Sequence, residues 1–295
     1  MSRSVGVVIP TRGDRPAQLR EAVTGVLAQD YPGRLSLAVV ADGADPEEVA
    51  EQIADVPVRV LDNRLTPGLP GARNTGIAAC DTDLIAFCDD DDVWLPGKLA
   101  AQERALRGRG TFASCAIEVE HGRRRVARLA GASVVTAADL TRSRMVMVHS
   151  STFLFERGGL WVDESAPAGQ NEDWDLALRA AKQQPIVHVD RPLVRVRWGG
   201  SHYVARWADR IAGLQWMLAR HPELAADSRG AARVYGQLAF GHAALGHRRE
   251  AVRWAGRTFA ARPGEPRAPL ALAVAAGLIS APAMLSLLHN RGHGI

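Results

Sequence analysis

The chain has 295 residues, of which 47% are hydrophobic and 23% are charged, and these proportions are ordinary for a soluble globular protein. This length predicts one large domain with a smaller appendage. The net charge of +4 is only mildly basic, and because the sequence has neither a basic tail nor a nucleic-acid-binding motif, it argues against a polynucleotide partner.

The first third of the chain alternates predicted strands and helices. Short apolar runs rich in β-branched residues indicate buried strands, and apolar residues at helical spacing indicate helices. The predicted strands are 5–9, 35–42, 56–62 and 83–89. The predicted helices are 15–28, 45–53, 70–80 and 96–107. Repeated β-α-β units predict an α/β fold with a doubly wound, mainly parallel sheet covered by helices.

The pattern changes after residue 110. The predicted elements that follow are a hairpin over 111–130 with a charged tip at 121–125, strands over 145–157 and 186–198, and a helix over 171–183. Beyond residue 203 the pattern is almost wholly helical, and "YGQLAFGHAALGHRREAVRWAGRTFAARPGEP" resembles a single tetratricopeptide-type helical hairpin. We therefore expect a domain over 1–202 and an α-helical C-terminal region over 203–295.

The cysteines and the apolar runs predict where in the cell the protein is located. Cys80, Cys88 and Cys115 lack metal-site spacing and have apolar neighbours, which predicts buried, reduced thiols in a cytoplasmic protein. The N-terminal apolar run is too short for a signal peptide. The uncharged stretch 268–289 is long enough to span a bilayer, but a glycine and a proline interrupt it, which favours a packed helical pair over membrane contact.

The segment "LIAFCDDDDVW" joins a strand pattern to four consecutive carboxylates. Parallel sheets bind ligands at the carboxyl ends of their strands. In an extended chain Asp89 and Asp91 would point to one side, whereas Asp90 and Asp92 would point to the other. Two converging carboxylates suit Mg²⁺ or Mn²⁺, and a cation would offset the repulsion among them. The alternative is a polar turn in which one aspartate caps the next helix.

Five short motifs in this order resemble family 2 glycosyltransferases of the GT-A (nucleotide-diphospho-sugar transferase) fold, over roughly residues 4–202. They are "VVIPTRGDRPAQLREAVTGVLAQDYP", "AVVADGAD", "GLPGARNTGI", "FCDDDDVWLPGKL" and "NEDWDLALRAA". The resemblance implies an inverting, metal-dependent, hexosyltransferase-like enzyme. Such an enzyme moves a sugar from a nucleotide diphosphate sugar, here a UDP-sugar, to an acceptor hydroxyl of unknown class, with Mn²⁺ or Mg²⁺ as cofactor.

The resemblance also assigns roles to single residues. The implied nucleotide-sugar-binding residues are Pro10, Thr11, Arg12, Asp42, Gly71, Arg73, Asn74, Asp89 and Asp90. The implied metal ligands are Asp91 as the principal one, with Asp89 and His202 beside it. The implied catalytic residues are Asp173 as the base and its neighbour Glu172. Trp174 and Trp198 would line the acceptor side, because aromatic faces pack against sugar rings, or they would be core residues.

The chain departs from the family pattern at three places. Ala41 stands where many members have an acid before Asp42, and Arg12 follows the Pro-Thr pair in place of Tyr or Asn. Arg197 stands where members often have a histidine, so either Arg197 neutralises a phosphate or His202 reaches the metal.

Simpler interpretations remain open for several of these residues. Asp42 also fits an ordinary Asp-Gly turn. Glu172 and Asp173 also fit the first turn of a helix, where the helix dipole favours carboxylates. At the level of the whole chain, the alternatives are a nucleotidyltransferase and a non-catalytic scaffold that binds nucleotide sugars, and the helical C-terminal region also suits a homodimer contact.

Overall fold

A computed structural model describes residues 2–56, 58–122, 124–197 and 206–290. These residues form two compact units. The first unit takes its described residues from 1–140, 144–165 and 172–200, and the second takes its from 141–143, 166–171 and 201–295. The expected boundary between residues 202 and 203 lies outside the described residues, as do Trp198 and His202.

The first unit is built on one ten-stranded sheet. Its strands are β1 (Val5–Thr11), β2 (Leu35–Ala41), β3 (Arg59–Asp62), β4 (Leu84–Phe87), β5 (Val93–Trp94), β6 (Phe112–His121), β7 (Arg124–Arg128), β8 (Val134–Val135), β9 (Leu154–Glu156) and β10 (Ile186–Arg197). The strand order is β3-β2-β1-β4-β9-β6-β10-β5, with β7 paired to β6 and β8 paired to β10.

One half of the sheet is parallel. Strand β1 pairs in parallel with β2 and β4, and β2 pairs in parallel with β3. All seven residues of β1 are buried, which agrees with its continuous apolar run. The crossover helices are α1 (Pro16–Leu27), α2 (Pro46–Gln52) and α3 (Leu69–Ala79). A Cβ at Gly76 would lie 2.2 Å from Val8 Cγ1, so glycine lets α3 pack directly on β1.

The other half of the sheet is mixed. Strand β9 runs antiparallel to both β4 and β6, whereas β6 and β10 are parallel. The first unit also contains helices α4 (Lys98–Leu106), most of α5 (Ala137–Arg142) and α6 (Glu172–Gln183). This architecture confirms the predicted α/β fold with a mainly parallel sheet, and the β6–β7 pairing confirms the predicted hairpin.

The strand predicted over 145–157 is wrong for most of its length. Only Leu154–Glu156 is extended, and Ser150–Thr152 forms a 3₁₀ turn. Thr152 Oγ1 donates to the carbonyl oxygen of His149 at 2.7 Å. Such local bonds from serine and threonine offer the backbone an alternative to strand pairing.

The second unit is helical around α9. Its helices are α7 (Trp207–Arg220), α8 (Glu223–Ala226), α9 (Ser228–Ala244), α10 (Arg248–Ala261), α11 (Arg267–Ala275) and α12 (Ala281–Asn290). Helix α9 contacts α7, α8, α10 and α11. Asp227 Oδ1 caps α9 by accepting from the Gly230 N–H at 2.9 Å.

The uncharged stretch near the C-terminus forms the helices α11 and α12, which contact each other and confirm the predicted helical pair. Within the described ranges, every helix is too short or too polar to cross a membrane. In the first unit, Cys80, Cys88 and Cys115 are buried free thiols, as expected.

Candidate active site

The carboxyl ends of β1, β2 and β4 meet at one edge of the parallel half-sheet. Thr11 is the last residue of β1, and its Oγ1 donates to Asp90 Oδ2 at 2.7 Å. Asp42 follows β2, and its backbone N–H donates to the Thr11 carbonyl oxygen at 2.8 Å. Residues far apart in the sequence therefore converge where an open parallel sheet binds ligands.

The acidic stretch after β4 is a turn. Strand β4 ends at Phe87, and residues 90 and 91 form a turn. Arg15 Nη2 lies 2.6 Å from Asp90 Oδ1, and Arg15 Nη1 binds Asp91 Oδ2. The expectation that Asp90 and Asp91 point to opposite sides is therefore wrong, because strict alternation requires an extended backbone.

Burial governs the protonation of this turn. It raises the pKa of Asp90 to about 6, although Arg15 and the Thr11 hydroxyl oppose the shift. It also raises the pKa of Asp91, again against the effect of Arg15. The pKa of Asp92 is raised well above its ordinary value by burial and then by the charges of Asp89 and Asp91. Burial, and at Asp92 also the charges of the neighbouring carboxylates, therefore disfavours ionisation in this turn.

Three side chains could hold a cation. Asp89, Asp92 and His149 each offer one ligand atom, and these atoms all lie within 4.8 Å of one another. Among the described residues His149 Nε2 is buried without a hydrogen-bond partner. Burial lowers the pKa of His149, which favours the neutral ring that binds metals. Two carboxylates and an imidazole fit Mn²⁺ better than Mg²⁺, since Mg²⁺ prefers oxygen ligands.

This cluster differs from the ligands expected from the sequence. It includes Asp89 but not Asp91, whose carboxylate binds Arg15. His149 precedes the 3₁₀ turn in a segment that the sequence pattern assigned to a strand. The turn itself supports the cluster, because the Asp89 N–H donates to Ser151 Oγ at 2.9 Å.

Arg73 on α3 links two parts of the site. Its side chain is only 2% exposed. Its Nη2 lies 2.7 Å from Asp89 Oδ1, and its Nη1 binds Glu172 Oε1. Ser150 Oγ donates to the other oxygen of Asp89 at 2.8 Å. Although burial opposes ionisation, Arg73 lowers the pKa of Asp89, so this carboxylate stays charged and fixed.

The two acids at the start of α6 have different surroundings. Both are buried, with Glu172 5% and Asp173 7% exposed. Burial and then the charge of Asp173 raise the pKa of Glu172 to about 7, against the opposing effect of Arg73. Arg144 Nη2 donates to both Asp173 oxygens, at 2.8 and 3.0 Å. Sequence reasoning missed Arg144, because an arginine in an irregular segment has no local signal of its partner.

Two of the expected donor-binding residues organise the backbone around the site. Asp42 Oδ1 accepts from Asn63 Nδ2 at 2.8 Å and from the Gly68 N–H at 2.9 Å, so it holds the loop before α3. Gly71 has no room for a side chain, since a Cβ there would lie 1.9 Å from the Thr66 carbonyl oxygen.

The remaining expected site residues differ in their burial and in their contacts. Asn74 is buried and bonded to both the N–H and the carbonyl oxygen of Val162, which is a structural role. Pro10 is buried within β1, whereas Arg12 is exposed just beyond it. Trp174 is 1% exposed and donates to the Leu140 carbonyl oxygen at 3.1 Å. It is therefore a core residue, and its expected place on the acceptor side is wrong.

Comparison with known proteins finds a family whose model matches the N-terminal part of the chain. Residues 6–152 match the family model Glycosyl transferase family 2. The chain is 37% identical over 100 residues to "Succinoglycan biosynthesis protein ExoW" of Rhizobium meliloti (strain 1021). That alignment covers 32% of this chain and 31% of the relative, so it spans less than a third of the relative's length.

Solved structures share the fold over nearly the whole chain. S. aureus TarS 1–349, in complex with UDP-GlcNAc, has a TM-score of 0.62 at 13% identity, covering 98% of this chain and 92% of that one. The mannosyltransferase PcManGT of Pyrobaculum calidifontis, in complex with GDP-Man and Mn²⁺, has a TM-score of 0.50 at 18% identity, covering 99% and 80%. At these identities the likeness shows the fold, which is the GT-A fold.

Proposed function

Because residues 6–152 belong to glycosyl transferase family 2, we propose that the protein transfers a sugar from a nucleotide diphosphate sugar to an acceptor hydroxyl. One observation carries the proposal. Arg73 binds Asp89 on one side and Glu172 on the other, so a single buried guanidinium joins the edge of the parallel half-sheet to the acids of α6. An enzyme that transfers a sugar needs both a donor-binding edge and a proton acceptor within one site.

The proposed donor is a UDP-sugar, bound along the carboxyl ends of β1, β2 and β4. The TarS structure contains UDP-GlcNAc and the PcManGT structure contains GDP-Man, and both have the fold of this chain. Here Thr11, Asp42 and Asp89 present polar groups at that edge. The catalytic domain would extend over 1–202, as the sequence motifs suggest.

A divalent cation is part of the proposal. Asp89, Asp92 and His149 would hold Mn²⁺ or Mg²⁺, and Asp91 remains a further candidate ligand from the sequence motif. The cation, when bound, supplies positive charge that stabilises the departing diphosphate. Burial and then the charges of Asp89 and Asp91 raise the pKa of Asp92, and a cation bound at Asp89 and Asp92 would offset that repulsion. The Mn²⁺ in the PcManGT structure gives a precedent within the fold.

Asp173 is the proposed base. Its carboxylate would accept the proton of the acceptor hydroxyl as that oxygen bonds to the anomeric carbon. The bond from the anomeric carbon to the diphosphate oxygen breaks on the opposite face, which inverts the configuration and releases a nucleoside diphosphate. Arg144 orients the carboxylate through two hydrogen bonds. A positioned base typically contributes about 10² to 10⁴ in rate.

A donor screen tests the proposal. The full chain is incubated with Mn²⁺ and a panel of UDP- and GDP-sugars, and free nucleoside diphosphate is measured with and without simple hydroxyl acceptors. Release of UDP or GDP that requires Mn²⁺, and that is lost in Asp173→Asn, is the expected result. Release of pyrophosphate from a sugar phosphate and a nucleoside triphosphate would instead show nucleotidyl transfer. Donor binding without turnover of any donor would show a binding scaffold.

A further inference from the structure

Positive charge is concentrated in the helical unit. Residues 206–290 contain eleven Arg against five Asp or Glu, which leaves +6, whereas residues 1–197 contain 24 Lys or Arg against 27 Asp or Glu, which leaves −3. The mildly basic net charge of the whole chain is therefore the sum of an acidic N-terminal part and a basic helical part. Such asymmetry is typical of a protein with a separate surface for an anionic partner.

Helix α10 concentrates this charge on one face. It carries four arginines and a single acid, Glu250, which lies 3.3 Å from Arg253. Its buried residues, Ala251, Trp254, Ala255 and Thr258, pack toward the rest of the helical unit. The opposite half of the helix is exposed. We call it the α10 outer face, and its principal side chains are Arg248, Arg249, Val252, Arg253, Arg257 and Phe259.

The outer face has two adjacent stripes. Residues four apart align along a helix, so Arg249, Arg253 and Arg257 form one cationic line. Val252 and Phe259 are seven residues apart, and at about 100° per residue they fall within about 20° of each other, beside that line. Val252 is 56% exposed and Phe259 is 37% exposed. The helix thus presents guanidinium groups next to uncovered apolar side chains.

We propose that the α10 outer face docks on an anionic lipid surface, with its arginines on lipid phosphates and Val252 and Phe259 entering the headgroup region. Arginine suits this role because its planar guanidinium binds phosphate oxygens in pairs. A polynucleotide would bind the arginines, but an exposed valine would add nothing to its affinity. A lipid interface would bind both the cationic stripe and the apolar stripe. This is contact with the surface of a membrane and requires no spanning helix.

The apolar helical pair α11 and α12, which follows α10, also favours lipid as the partner. Leu278, in the turn between α11 and α12, is 81% exposed, and Leu287 on α12 is 44% exposed. The stretch from Ala268 to Leu287 contains no charged residue. A helical unit that combines an arginine line with uncovered leucines has the composition of a peripheral membrane module. The inference depends on this unit alone and stands independently of the proposed sugar transfer.

Vesicle flotation of the full chain tests the inference. We expect binding to vesicles of equal parts phosphatidylglycerol and phosphatidylcholine, and little binding to phosphatidylcholine alone. Each arginine near such a surface raises the partition coefficient onto the vesicles roughly fivefold. The double variant Arg249→Gln with Arg253→Gln should therefore weaken binding at least about tenfold. Val252→Ser with Phe259→Ser should also weaken it. A second arginine pair, Arg248→Gln with Arg257→Gln, repeats the test if the first pair disturbs the fold, as judged by melting temperature.

The matched control removes the same charge elsewhere. Arg124→Gln with Arg125→Gln changes two exposed arginines on β7 and should leave vesicle binding unchanged. Four results would overturn the inference: no binding of the unmodified chain to anionic vesicles, an equal loss in the β7 control, full binding by the Val252 and Phe259 variant, or tighter binding to duplex DNA than to anionic vesicles.

Discussion

Arg144 holds Asp173 by two hydrogen bonds from the same nitrogen, Nη2, at 2.8 Å to Oδ1 and 3.0 Å to Oδ2. The arginine lies in an irregular segment, and the aspartate lies in the first turn of α6. The two bonds restrict rotation of the Asp173 carboxylate. Adjacent Glu172 is bound by a different arginine, Arg73, and burial raises the pKa of Glu172 to about 7. The two acids therefore have different partners, and single substitutions can separate their roles.

Asp173→Asn should reduce turnover by at least about two orders of magnitude, which is the usual contribution of a positioned base. Donor affinity should change little, because the donor is proposed to bind at the strand ends. Melting temperature, donor affinity and the rate of nucleoside diphosphate release are measured together. Asp175→Asn is the control for stability. Asp175 is 0% exposed and lies 2.8 Å from Arg179, so its loss should cost about 1 to 3 kcal/mol without changing the rate of the folded enzyme.

Glu172→Gln tests whether Glu172, and not Asp173, is the base. It should weaken donor binding, because Arg73 would lose a charged partner and shift its pairing with Asp89. Its turnover at saturating donor should fall less than that of Asp173→Asn. If the Glu172 variant were inactive while the Asp173 variant kept its rate, the base would be Glu172.

Arg144→Gln should lower turnover by removing the group that orients Asp173. Without its two hydrogen bonds to Arg144 the Asp173 carboxylate can rotate away from the acceptor hydroxyl, so turnover should fall while donor affinity changes little. Turnover at saturating donor and donor affinity are measured for both proteins. A double-mutant cycle provides the control, since Arg144→Gln should have little further effect once Asp173 is Asn. Independent, additive losses would contradict action through Asp173.

The cation ligands are tested by Mn²⁺ binding, measured by calorimetry without any donor. Asp92→Asn and His149→Gln should each weaken Mn²⁺ binding by at least about tenfold, because loss of a group that only orients a metal ligand already costs about 10- to 100-fold. Asp90→Asn is the matched control, because Asp90 binds Thr11 and Arg15 and is not part of the cluster. A large loss for Asp91→Ala together with unchanged binding in His149→Gln would assign the site to the ligands expected from the sequence.

Mn²⁺ affinity should rise with pH. Burial raises the pKa of Asp92, so this carboxyl keeps a proton to a higher pH than usual and must lose it before binding a cation. Burial lowers the pKa of His149, so its ring loses its proton at a lower pH than an ordinary histidine does. Binding measured at about pH 5 and about pH 8 should therefore differ, and Asp92→Asn should reduce that difference. A pH-independent affinity in the unmodified protein would contradict this.

Lys98→Met should stabilise the protein. Lys98 is 0% exposed, its Nζ lies 3.8 Å from the centre of the Trp94 ring, and burial lowers its pKa to about 8. Between about pH 8 and about pH 10.5 the unfolded chain binds more protons, so the stability of the unmodified protein should rise with pH in that window. Urea denaturation at pH 7 should show a gain of about 1 to 3 kcal/mol for the variant. A loss of stability would mean that the contact with Trp94 outweighs the cost of burial.

Much of the fold is predictable from the chain alone. The strands and helices of the parallel half-sheet follow from apolar periodicity, from Pro46 at the start of α2, and from the continuous burial of β1. The prediction failed at 145–157, where apolar β-branched residues favour a strand. The segment 150–152 forms a 3₁₀ turn instead, and the Thr152 hydroxyl stabilises it by donating to the His149 carbonyl oxygen. Such competition depends on partners that periodicity does not register.

The sequence by itself determined which strand ends carry carboxylates, because a parallel sheet brings the carboxyl ends of its strands to one edge. It placed Asp89, Asp42 and the α6 acids in one region through motifs and their order. Only the tertiary structure decided their partners. Arg15 binds Asp90 and Asp91, Arg73 joins Asp89 to Glu172, Arg144 holds Asp173, and His149 approaches Asp89 and Asp92. The physical reason is that local sequence periodicity specifies which way a side chain faces along its own element. The charge that it meets comes from a distant segment, and only folding brings the two together.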